Sequence, residues 1–117
     1  MSAWKLTVRH GSDVARQEFD DLETALAEAR RRAEEIRSEG PLDQVSMLRS
    51  FEPEERVHAR LEISGRGLLR PPTAGIDLMG DGRLVPFRGG IRRRELRLRR
   101  GGDELDAVRE ALREAQR

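Results

Sequence analysis

The sequence predicts an α+β fold, a mostly antiparallel sheet of six or seven strands with two amphipathic helices packed on one face. Three observations lead there. Several short runs alternate apolar with polar residues, the period of a half-buried strand. Two longer segments repeat apolar residues three and four apart, the period of a helix with one buried side. Clusters of Gly, Asp and Ser stand between these segments and reverse the chain. The 117 residues suit a single domain, 1–117, and the absence of cysteine excludes disulfides, thiol catalysis and thiolate metal sites.

Trp4, Leu6 and Val8 alternate with Lys5, Thr7 and Arg9, so the first strand lies here. Gly11-Ser12 makes a two-residue loop, and a second strand runs from Val14 to Phe19. This loop sets Trp4 opposite Phe19, Lys5 opposite Glu18 and Val8 opposite Ala15, sensible cross-strand pairs. Asp20 suits a helix N-cap with Glu23 three positions on. Leu22, Ala25, Leu26, Ala29, Ala33 and Ile36 then share a face, Glu28–Arg32 and Arg31–Glu35 support the wet side, and Gly40-Pro41 ends the helix.

Val45 to Phe51 reads as a strand, and so does the run in which Val57, Ala59, Leu61 and Ile63 point one way while Arg56, His58, Arg60 and Glu62 point the other. Residues 64–75, with three glycines and two prolines, read as a long loop. A hairpin follows. Asp81-Gly82 as a two-residue turn sets Ile76 opposite Phe87 and Leu78 opposite Val85, all four on one face. Pro86 cannot donate, which suits an edge or an irregular position. In IRRRELRLRR, residues 91–100, six of ten residues are arginine. Leu96 and Leu98 are spaced as in a strand, with Arg93, Glu95, Arg97 and Arg99 outward. Asp103 caps a last helix that buries Leu105, Val108, Ala111 and Leu112. Residues 1–40 and 75–117 thus form a loose pseudo-repeat of strands, Asp cap and helix.

The net charge of +1 conceals an asymmetry: residues 13–59 carry seven bases and thirteen acids, residues 60–100 eleven bases and four acids. Such a dipole suits self-association or a polyanionic partner. No stretch has the apolar run of a signal peptide or a membrane span, so the expected setting is soluble and cytoplasmic, with no membrane partner.

Candidate chemistry is sparse. Arg93, Arg97 and Arg99, with Arg56 and Arg60 on the same sheet face and Arg66 and Arg70 on the loop, could contact phosphates or a protein partner. The competing reading is a solvated face whose arginines pair with the acids of 13–55. The Arg-Gly-Gly triplets at 88–90 and 100–102 read as chain reversals. Asp77 to Arg88 has a calcium-loop-like start but lacks an oxygen ligand at its third position (Met79) and a carboxylate at its last. His10 and His58 are the two histidines, with no third ligand at a metal-site spacing. His58 points outward and reads as solvated. It is separated from Glu62 by about 13 Å of strand, too far for an acid–base pair. No nucleophile, phosphate-loop or dinucleotide motif is present. Neither a cofactor nor a metal is expected, and no catalytic residue is assigned.

The run GIDLMGDGRLVPFRGGIRRRE with the DELDAVREAL helix, and the opening WKLTVRHG…FDDLETALAEA, resembles small uncharacterised proteins of high-GC actinobacteria that carry a GxDxxGDGR hairpin. That resemblance covers most of the chain and implies no activity. The expected function is a non-enzymatic interaction module that works through protein–protein contacts, chiefly self-association. Nucleic-acid backbone binding through the arginine-lined face is the alternative.

Overall fold

The computed structural model describes residues 3–39, 57–65, 71–89, 93–98 and 101–115. The order of elements is β1 (Trp4–His10), β2 (Asp13–Phe19), α1 (Leu22–Ser38), β3 (Val57–Gly65), β4 (Thr73–Met79), β5 (Leu84–Arg88), β6 (Arg94–Glu95) and α2 (Glu104–Ala115). The strands form one antiparallel sheet in the order β2-β1-β3-β4-β5-β6. Both helices pack on the same face. That face supplies Leu6, Val8, Leu61, Ile63, Ile76 and Leu78 to a core completed by Leu26, Ile36, Val108 and Leu112.

The first hairpin has the expected register, with Trp4 opposite Phe19, Lys5 opposite Glu18 and Val8 opposite Ala15. Gly11, at φ 63°, opens its turn in the left-handed region. The buried faces of both helices are also as expected. The cap of α1 lies one residue later than expected, at Asp21. Its carboxylate accepts the Thr24 backbone N–H at 2.8 Å and the Thr24 hydroxyl besides, so Thr24 takes the place expected for Glu23. On the wet side, Arg31 does bond Glu35, but Glu28 pairs with Arg31 instead of Arg32. Asp103 caps α2 reciprocally: it accepts the Asp106 N–H at 2.9 Å, while Asp106 accepts the Asp103 N–H at 3.2 Å. These backbone bonds hold the pKa of Asp21 and of Asp103 below that of a free carboxyl group. The helices are tied together by Arg109 and Arg113 to Glu23 and by Arg30 to Asp103.

Three further expectations need correction. The long loop is shorter than residues 64–75, because Ser64 pairs with Thr73, Ile63 with Ala74 and Glu62 with Gly75, which extends β3 and β4 into it. The second hairpin is shifted by one residue. Its loop is Gly80-Asp81-Gly82: Gly82 donates to the Met79 carbonyl, Met79 donates to that of Arg83, and Gly82 has φ 90°. This is a turn followed by a left-handed glycine, the usual three-residue solution. Ile76 therefore faces Pro86, Leu78 faces Leu84, and Val85 and Phe87 turn to the face away from the helices.

Pro86 is not at a sheet edge, since β5 lies between β4 and β6, but it is the irregular position that was the other expectation. Its carbonyl accepts the Leu96 N–H at 2.9 Å, but the reciprocal bond would need a donor that proline lacks. Pairing ends there, which corrects the third expectation: among the described residues the arginine-rich stretch is a strand only at Arg94–Glu95. Leu96 still packs against the core, whereas Leu98 is exposed instead of inward. The expected strand at 45–51 and the helix stop at Gly40-Pro41 lie outside the described residues.

Candidate functional site

Among the described residues the candidate arginines do not form a row. Arg60 projects from β3 and Arg93 from the residue before β6, and both converge on Asp77 of β4. Asp77 is fully buried and stands on the face away from the helices. It accepts Arg60 Nε at 2.8 Å and also accepts from Arg93 Nη2. Phe87 lies beneath the pair. The Arg93 and Arg60 guanidinium carbons sit 4.7 and 5.3 Å from its ring centroid. A cation over an aromatic face gains from the ring quadrupole, and more so when partly desolvated. Burial, and then the neighbouring Arg60 charge, hold the Arg93 pKa below its ordinary value.

This cluster follows from the hairpin shift. Had Phe87 faced the helices, its ring would not stand beside Asp77. The sheet face expected to be polar thus carries buried Val85, Phe87 and Met79 at its β4–β5 side. Among the described residues, the acid that pairs with these arginines, Asp77, comes from the basic half of the chain. Arg97 lies elsewhere, in a depression of about 740 Å³ beside α2, together with Leu96, Asp106 and Glu110. No Ser, Thr, Cys or His lines that depression among the described residues. Arg56, Arg66, Arg70 and Arg99 lie outside the described residues.

The second feature is the β2 edge. β2 pairs with β1 on one side, and among the described residues no strand pairs on the other. Asp13 to Glu18 are exposed. Alternate residues of an antiparallel strand direct their N–H and C=O to opposite sides. The Phe19 carbonyl accepts from Ala3, so it points toward β1. By alternation Asp13, Ala15 and Gln17 point there too, and Val14, Arg16 and Glu18 present their backbone groups at the open edge.

The third feature is a histidine pair that the sequence reading missed. Alternation would turn His58 to the face of Arg60, whereas His10 shares the face of Val8 and Ala59. A bulge at this end of β3 sets Val57 opposite Met79 and Ala59 opposite Leu78, so that His58 is the extra residue. Bulges re-aim side chains, and His58 Nε2 stands 3.2 Å from His10 Nε2. The only signal in the sequence was the coexistence of two histidines near strand ends, and period-two reasoning cannot foresee a bulge.

Comparison with protein-family models, with curated proteins and with solved structures finds no match. No described helix is long and apolar enough to cross a membrane.

Proposed function

We propose that this protein is a self-associating interaction module whose contact is the open edge of β2, joined antiparallel to β2 of a second copy. One observation carries the proposal: among the described residues β2 is the seven-residue edge strand of the sheet, exposed along Asp13 to Glu18. Such an edge is a template for another strand unless charge, proline or a bulge blunts it. Here the charges are complementary to themselves. A twofold axis through Gln17 sets Arg16 opposite Glu18 of the second copy and Glu18 opposite Arg16. On the other face, Ala15 meets Phe19. The outward backbone groups of Arg16 and Glu18 then bond across the axis, and each opposite-charge pair adds a few tenths of a kcal/mol to about 1 kcal/mol.

One strand pair buries little surface, so the expected assembly is a concentration-dependent monomer–dimer equilibrium. Sedimentation velocity over a broad concentration range tests it. Arg16→Pro removes a donor that faces the edge and leaves the bonds to β1 intact, so it should give a folded monomer. A wild-type protein that stays monomeric at its highest soluble concentration would refute the reading, as would an undiminished dimer in Arg16→Pro.

A further inference from the structure

We infer that His10 and His58 form a two-histidine site for a borderline divalent transition cation of the zinc, nickel or copper class. This rests on the sheet end and its bulge, and is independent of what β2 does. The two Nε2 atoms are 3.2 Å apart. Two nitrogens bound tetrahedrally to one zinc ion at about 2.0–2.1 Å are separated by about 3.3 Å. The rings therefore hold the spacing of a shared ion without any movement of the backbone. Their planes are tilted by 57° and their centroids lie 4.8 Å apart, closer than in a collinear donor–acceptor pair. The contact is a bent N–H···N hydrogen bond between the two rings, and an ion bound to both nitrogens would replace its proton.

The position is also built. His10 is the last residue of β1, beside the Gly11 turn, and His58 is the bulged residue of the neighbouring strand. Both line an open depression of about 530 Å³ together with Arg9 and Arg60. Arg60 directs its charge to Asp77 at 2.8 Å. Asp13, opposite His10 across the hairpin, brings a carboxylate to the same end of the sheet. Among the described residues no set of three His, Cys, Asp or Glu side chains converges as ligands. Among the described residues, His10 and His58 are thus the two ligands of the site. Imidazole nitrogens without thiolate or clustered carboxylate favour zinc, nickel or copper over magnesium or calcium.

The test is titration of the full chain with ZnCl₂, NiCl₂ and CuCl₂, and with MgCl₂ as control, followed by calorimetry and by the thermal midpoint. The expected result is one equivalent of a transition ion bound, a midpoint raised by several degrees, and no response to magnesium. Binding should weaken as the pH falls, because protons compete for the ligand nitrogens. His10→Ala and His58→Ala should each abolish the tight equivalent. His10→Gln and His58→Gln, which keep a polar side chain, serve if an alanine variant unfolds. With Cu²⁺, the NMR signals of residues flanking 10 and 58 should broaden first. No binding by the wild type, or one equivalent retained in the double variant His10→Gln/His58→Gln, overturns the inference. Because Arg16→Pro leaves both histidines in place, it should bind the ion as the wild type does, which separates this result from the fate of the dimer.

Discussion

Asp77→Ala is expected to lower the unfolding free energy by about 2–3 kcal/mol. Breaking a buried ion pair by removing one partner costs about 3–5 kcal/mol, because the remaining charge is stranded. Here the stranded groups are Arg60 and Arg93, whose side chains are 35% and 40% exposed, so water recovers part of the loss and the lower figure applies. The two guanidiniums would also repel each other over Phe87 with no anion between them. For a chain of this size, the loss corresponds to a midpoint lower by about 10 °C. The damage should be local at first. The Leu96 N–H, which bonds the Pro86 carbonyl beside this cluster, should exchange with solvent faster than N–H groups of the β1–β3 ladder. Denaturant unfolding and hydrogen exchange check both points, and a loss below about 0.5 kcal/mol would remove Asp77 from its role as anchor.

Gly75→Ala should cost at least about 3 kcal/mol, for a different reason. A Cβ at Gly75 would lie 2.1 Å from the Leu61 carbonyl oxygen and 2.8 Å from Glu62 Cα. Both atoms belong to the backbone of β3, so no side-chain rotation relieves the contact. The β3–β4 ladder must separate at the centre of the sheet, next to the buried Leu61 and Ile76. Denaturant or thermal unfolding of the variant checks this, and near-wild-type stability would mean that the two strands have room which their present spacing denies. Gly89→Ala is the useful comparison: its Cβ meets chiefly the Thr73 side chain, which can turn away, so its cost should be smaller.

The helices were legible because each reports itself twice, through a 3.6-residue apolar period and through an aspartate cap. The first hairpin was legible because Gly11-Ser12 offers one short turn and the alternation of Trp4, Leu6 and Val8 leaves one register. The second hairpin was not. Gly80-Asp81-Gly82 supports a two-residue and a three-residue loop, and Ile76, Leu78, Leu84, Val85 and Phe87 are apolar on both faces. Either register then buries apolar residues, and hydrophobic pattern cannot choose between them. That single residue moved Phe87 to the far face and created the Asp77 cluster.

The arginine-rich stretch failed as a long strand through Pro86, a residue on the neighbouring strand. Its effect depends on knowing which residue it faces, which is a tertiary fact. The same holds for His58, since the bulge that turns it toward His10 exists only in the pairing of β3 with β4. The open edge at β2 could not be read from local pattern either, because strand order is a property of the whole sheet.

The most direct test of the edge contact is a mixing experiment. Arg16→Glu sets carboxylate against carboxylate at both pairs across the twofold axis. Glu18→Arg sets guanidinium against guanidinium there, so each variant alone should be a monomer. Mixed in equal amounts, the two restore an opposite-charge pair at both positions, and a heterodimer should appear in sedimentation velocity with about the affinity of the wild-type homodimer. Monomers that stay apart on mixing, or single variants that dimerise as well as the wild type, would contradict the account.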